Sequence, residues 1–168
     1  VKEYDCDPSG FVALLEAMKI SAVAKLSISN CDIGPKGLMT SAPLISDIAA
    51  LSEVNLSMNK CFNSDSAKAF ADVILTSKIQ TLVIGPKATV VPVHGSDATA
   101  LDFSDQKLGP GELIVISSAI SVIAALIEVN LSMNKCFNDE SIKALADVIP
   151  KSKLQTLVIG KNCSVPVA

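Results

Sequence analysis

The sequence predicts an α/β solenoid: a curved arc with parallel strands on its concave face and helices or extended connectors on its convex face. Three observations carry that prediction. Residues 54–63 and 129–138 both read VNLSMNKCFN, and the match extends without a shifted position to SKIQTLVIG at 77–85 and SKLQTLVIG at 152–160. The chain is therefore built on a unit repeated every 75 residues, and a repeat of this kind is settled before any other reading. Within that unit a shorter frame recurs: VAKLSISNCDI at 23–33, LSEVNLSMNKC at 51–61, IQTLVIGPKAT at 79–89, ATALDFSDQKL at 98–108, LIEVNLSMNKC at 126–136 and LQTLVIGKNCS at 154–164. Finally, most frames are followed by a segment long enough for a helical crossover, which parallel strands require.

Each frame opens with a short apolar–polar alternation, the period of a half-buried strand. Its fourth and sixth residues are the inward ones: Leu26/Ile28, Val54/Leu56, Leu82/Ile84, Leu101/Phe103, Val129/Leu131 and Leu157/Ile159. The third, fifth, seventh and eighth residues face outward, because strand side chains alternate. Between strands, AKAFADVILTS at 67–77 and IKALADVIPKS at 142–152 place apolar residues at helical spacing. Asn63 or Ser64 caps the first and Asn138 or Asp139 the second, and Pro150 closes the latter. The apolar run around Leu113–Ile127, broken by Ser117, Ser118 and Ser121, predicts a buried helix rather than a membrane span. In GLMTSAPLISDIAAL, Pro43 predicts a helix that starts near it or is kinked there. The stretch Gly85–Thr99, GPKATVVPVHGSDAT, is too polar and Pro-rich for a helix and predicts an extended connector across the convex side.

Residues 1–22 form an N-terminal helix that is either a cap or part of a preceding repeat, with Asp7 as its cap, Pro8 at its first position and Phe11, Leu14, Leu15 and Met18 as its apolar face. Residues 23–168 hold six repeats arranged as two units, about 23–97 and 98–168. Neither strand nor helix buries its apolar face alone, and stacking successive repeats buries both.

Composition narrows the function. Hydrophobic residues make up 49% and charged residues 18%, the reverse of a disordered chain. A formal charge of −3, with scattered Lys and no Arg, gives no reason to expect nucleic acid. No membrane span is expected. Five cysteines without a CxxC pair favour free buried thiols in a reducing, cytoplasmic setting.

The frames resemble leucine-rich repeats, and their 28-residue spacing resembles the ribonuclease-inhibitor-like subclass. CDIGPKG at 31–37 is similar to that subclass's turn into a helix, as are the helix tails SAKAFADVILTSKIQTL and SIKALADVIPKSKLQTL. The resemblance implies that Asn59 and Asn134, at the frame's ninth position, form a ladder of amides serving the turn after each strand. Cys31, Lys87 and Gln106 hold the same position, so the ladder is imperfect.

Catalysis is not expected. His94 is the one histidine and sits on the irregular connector, read as solvated, with no base–nucleophile arrangement fixed beside it. Cys31, Cys61 and Cys136 read as small buried hydrophobes rather than metal ligands. Gly34, Gly37, Gly109 and Gly111 read as repeat turns, since no GxxxxGK[ST] or GxGxxG occurs. No cofactor or metal is expected. Binding falls to the outward strand positions, and the candidate residues are Glu53, Asn55, Met58, Val83, Asp102, Asp105, Glu128, Asn130, Met133 and Val158. A flat, mixed surface of this type suits a protein or peptide partner. The expected function is a protein–protein interaction module, a fragment of a larger regulatory or scaffold protein. The alternative is a structural or self-assembling repeat, joined through the parallel strand edge expected to lie bare at Thr156–Ile159.

Overall fold

A computed structural model describes residues 9–160 in full and the backbone of the strand Cys163–Pro166. Helix α1 (Ser9–Met18) leads into β1 (Lys25–Ser27), α2 (Pro35–Ser46), β2 (Glu53–Asn55), α3 (Ser64–Thr76), β3 (Thr81–Ile84) and β4 (Thr89–Pro92). The second unit repeats the order with β5 (Ala100–Asp102), α4 (Pro110–Val122), β6 (Glu128–Asn130), α5 (Asp139–Val148), a 3-10 turn (Ile149–Lys151), β7 (Thr156–Gly160) and β8 (Cys163–Pro166). The Asp7 and Pro8 start signal lies outside the described residues.

Equivalent frame positions pair in parallel, Leu26 with Val54 and Val54 with Leu82, then Leu101 with Val129 and Val129 with Leu157. The inward residues are buried, apart from half-buried Leu101 and from Ile159, which is 38% exposed. One apolar core runs through both units.

The six frame strands do not form one ladder. They divide into two sheets, β1-β2-β3-β4 and β5-β6-β7-β8. The residues after β3 were expected to cross the convex side. Instead they turn back, and β4 pairs antiparallel with β3, Leu82 opposite Val91. Thr89 and Val91 are buried and Val90 is 59% exposed, so the segment alternates as a strand. Pro92 is tolerated there because an edge strand does not need every N–H. The same correction applies at the end of the chain, where β8 pairs antiparallel with β7 and covers the edge expected to be bare.

Helix ends follow local chemistry. Asn63 and Asn138 are the N-caps of α3 and α5; each side chain accepts from the N–H of Ser66 or Ser141, whose hydroxyl accepts from the cap's N–H in return. Pro150 falls in the 3-10 turn that ends α5. Helix α2 neither starts at Pro43 nor stops there. It opens with Pro35 at its first position, which needs no donor, and runs through exposed Pro43. In α1, Leu15 and Met18 are buried, but Leu14 is 49% exposed, so the covering face is narrower than expected.

The third frame supplies a hairpin but no helix, so α3 packs directly against α4 while β3 and β4 extend the sheet beneath them. Gly111 in the first turn of α4 permits this approach. A Cβ there would lie 2.6 Å from Phe62 Cβ and 3.0 Å from the Phe62 carbonyl oxygen.

Candidate protein-interaction surface

Strand register brings the candidate residues into rows. Glu53 stands between Lys25 and Thr81, and Asn55 between Ser27 and Val83. In the second sheet Glu128 stands between Ala100 and Thr156, and Asn130 between Asp102 and Val158. Asp102, Asp105 and Glu128 are exposed, whereas Glu53, Asn55, Val83, Asn130 and Val158 are half-buried. Met58 and Met133 are 56% and 60% exposed. The two sheets split the candidates into two clusters instead of one continuous row.

The clusters differ electrostatically. Glu53 is neutralised by Lys25, whose ammonium lies 2.8 Å from its carboxylate. Asp105 pairs with Lys87 at 3.0 Å. The Asp102 carboxylate accepts from the Ser104 N–H at 2.9 Å, and that bond holds its pKa below the usual aspartate value. Asp102 and Glu128, on neighbouring strands of the second sheet, are thus the acidic part of the face.

Sequence reasoning missed how much of this surface shapes the turn beneath it. The Asn55 side-chain oxygen accepts from the Ser57 N–H at 3.0 Å, and Asn130 does the same for Ser132 at 3.0 Å. The fifth position of these frames, with Asp102, therefore forms an Asx turn at the strand end. The eighth position follows in the left-handed region, with φ of 53° at Asn30, 60° at Met58, 50° at Asp105 and 61° at Met133. Asn and Asp visit that region readily, whereas a methionine there is uncommon. The recurrence of Asn, Asp and Met at one frame position was the available signal.

Below the turns, the ninth-position asparagines act as the family resemblance implied, and they also span neighbouring frames. Asn59 accepts from the N–H groups of Cys31 and Ile33 at 3.0 and 3.2 Å, and its amide donates to the Ile28 and Leu56 carbonyls at 2.7 and 3.1 Å. Asn134 accepts from Leu108 N–H at 3.0 Å and donates to Phe103 and Leu131 at 2.7 and 3.0 Å. At the joint between units the ladder changes character. The Lys87 ammonium donates to the Asp105 carbonyl as well as its carboxylate, and Thr89 Oγ1 donates to Gln106 Oε1 at 3.2 Å.

Two residues depart from the sequence expectation. His94 is half-buried and its Nε2 lies 2.6 Å from the Ile74 carbonyl, fastening the connector to α3 instead of standing in solvent. Cys31 is exposed, unlike Cys61 and Cys136. Its place at the outer rim of the first turn leaves it outside the core that covers the other two. Burial pushes the Cys61 thiol up to about 12 and the Cys136 thiol up to about 11, with the Glu112 carboxylate adding to both, so both stay protonated and unreactive. Among the described residues, no group of three or more His, Cys, Asp or Glu side chains is gathered as for a metal ion. No described helix is long and apolar enough to cross a membrane.

On the helix side, α3 and α5 approach each other over α4. Ser64 Oγ donates to Glu140, and Lys68 lies 3.4 Å from the same carboxylate. Lys68, Asp72, Lys143 and Asp147 line an open groove of about 450 Å³ with Ile114 and Ser117 of α4 at its floor. Its charges alternate in sign and match no single ligand.

The geometry defines a stacked α/β repeat scaffold with a mixed strand face. The leucine-rich repeat family model matches residues 24–40 and 126–146, which span β1 with the start of α2 and β6 with most of α5. Both units therefore carry a leucine-rich repeat. No curated protein matches the sequence. Among solved structures, the chain is similar to a tropomodulin C-terminal domain from Caenorhabditis elegans, with a TM-score of 0.47 and 10% identity over 94% of this chain and 85% of that one. It is also similar to the actin-binding site 2 of leiomodin-1, with a TM-score of 0.48 and 14% identity over 91% of this chain and 80% of that one.

Proposed function

We propose that this chain is a protein–protein interaction module, a leucine-rich repeat scaffold of the ribonuclease-inhibitor-like type whose strand face is divided at the joint by the extra strand of the β3–β4 hairpin. Part of a larger cytoplasmic regulatory or scaffold protein is the setting that suits it. The observation that supports this reading is the strand face itself. It presents exposed carboxylates at Asp102 and Glu128 and the exposed Met133 in the second sheet's cluster, and the exposed Met58 in the first sheet's, on strands short enough to leave the turns prominent. Such a face offers charge for steering and apolar area for contact, which together suit a partner segment with basic and apolar side chains.

The test is capture by the intact chain, compared with a Glu128→Lys/Asp102→Lys double variant and with Asp72→Lys on the helix side. Loss in the double variant with retention in Asp72→Lys supports the strand face. Equal capture by all three sinks it.

A further inference from the structure

The row of outward fifth residues gains a member at the joint that the repeat frame does not supply. Strand β4 pairs antiparallel with β3, and directly opposite residues of such a pair share a face, so Val90 stands beside outward Val83. Thr89 and Val91 on either side of it are 6% and 0% exposed, which fixes Val90 on the outside at 59% exposed. An apolar side chain open to water on the outer strand of a sheet is a liability that folded chains usually cover. In the second unit the hairpin residue opposite Val158 is Ser164, so an apolar residue at this place belongs to the joint alone.

Beyond β4 along the stack lies β5. The turn before β4 is fastened to the turn after β5, Lys87 on Asp105 and Thr89 on Gln106, and one core lies beneath both sheets. Leu101 and Phe103 turn into that core, so Asp102 between them faces outward on the same side as Val90. Glu128 follows on β6, opposite Ala100 of β5. Glu53 and Asp105 each have a lysine, at 2.8 and 3.0 Å, whereas among the described residues neither Asp102 nor Glu128 has one. The bond from the Ser104 N–H keeps Asp102 ionised. An exposed aliphatic side chain thus borders two carboxylates without cations, and the complement of that pair is an apolar group beside a positive charge. Paired strands lie about 4.8 Å apart, and β4 and β5 are not paired, so the step from Val90 to Asp102 is wider than that. Two residues of extended chain reach about 7 Å and return to the same face.

We propose that Val90 and Asp102 together anchor the partner at the joint, taking an extended peptide segment with an aliphatic side chain over Val90 and a lysine or arginine, two residues away, over Asp102. The site rests on the strand-face reading above and narrows it to one place and one kind of sequence. Glu128 lies one strand further on and adds to the attraction for the cation.

Selection of displayed random linear peptides on the full chain, followed by titration of the enriched peptides, tests it. Enriched sequences should share an aliphatic residue and a lysine or arginine two positions apart. Their affinity should fall about tenfold or more in Val90→Ser, which removes one covered aliphatic side chain at an exposed place and copies the second hairpin. Asp102→Asn keeps an oxygen for the Ser104 N–H and loses only the charge, and it should weaken the same peptides. Selection that enriches no such pair overturns the proposal, and so do enriched peptides that bind Val90→Ser as tightly as the wild type. Peptides lost in the Glu128→Lys/Asp102→Lys double variant but untouched by Val90→Ser sink the joint anchor and leave the strand face standing. Peptides indifferent to both variants sink the two together.

Discussion

Helices α2 and α4 occupy the same place in two copies of one unit, yet they have opposite characters. Along α2, Met39 is 45% exposed and Lys36 and Thr40 face solvent. At the equivalent positions of α4, Ile114, Gly111 and Val115 are buried, with Ile114 at 4% and Val115 at 0%. The difference comes from the frame between them. Because the third frame contributes two strands and no helix, α4 must cover β4 as well as its own strand while α3 and α5 close on its flanks. Strands are spaced about 4.8 Å apart and helices about 10 Å, so an ordinary repeat is wider on its helical side; at this joint the sheet gains strands and the helix row does not. A repeat's place in the stack, more than its ancestry, decides which of its helix positions must be apolar.

The largest expected effect probes that contrast directly. Ile114→Ala removes a side chain that is 4% exposed at the floor of the groove between α3 and α5, and should cost about 2–4 kcal/mol. Met39→Ala, at the matching position of α2, should cost less than about 1 kcal/mol. Urea titrations of both variants check the pair, and equal losses would dissolve the comparison. Next comes the amide ladder. Asn134→Ala strands turn groups that accept and donate around one side chain, at about 1–3 kcal/mol. Gln106→Ala, at the joint where Thr89 supplies a side-chain partner, should cost less than about 1 kcal/mol. A smaller effect is expected at Gly111. Overpacking against the Phe62 backbone costs about 1–3 kcal/mol, and up to about 1 kcal/mol of that returns as the helix propensity of alanine over glycine. Lys36→Ala, at the exposed matching position of α2, should cost less than about 1 kcal/mol by urea titration.

Much of this was legible before any coordinates. The frames located every parallel strand, the inward pairs located the core, and Asn63, Asn138 and Pro150 located helix ends, because each depends on neighbours a few residues away. The apolar run at 113–127, although broken by three serines, implied a buried helix, and α4 buries most of its residues before ending inside that run at Val122. The hairpins were not read, although TVVP alternates and follows the turn at Gly85 and Ala88, which have φ of 75° and 52°. Proline suggested a connector there, and only an edge position makes it compatible with a strand. The candidate face was legible as a row of outward residues, but not as two clusters, because the break in the sheet is a property of the whole stack. Nor could local pattern place Glu140 on Ser64 and Lys68 of the other unit, or His94 on the carbonyl of Ile74.

The finest difference between the two units is a single carboxylate. Glu112 occupies the position that Gly37 holds in the first unit. Its side chain accepts from the Gly109 N–H at 3.1 Å, completing the start of α4 beneath Met58 and Phe62. Burial raises its pKa above 4.5, and this outweighs the backbone bonds that act in the opposite direction. A carboxyl whose folded pKa is raised holds its proton more tightly in the folded chain than in the unfolded one. Its contribution is therefore fully present below about 4.5 and is lost as pH rises through the shifted value. Glu112→Gln keeps an oxygen for Gly109 N–H but cannot ionise, so it should remove that decline. Urea midpoints measured upward from about pH 4.5 should fall more steeply for the wild type than for the variant, whereas parallel curves would show that the carboxylate is solvated after all. Gly37 supplies no such group, so the pH sensitivity belongs to the joint and not to the repeated unit.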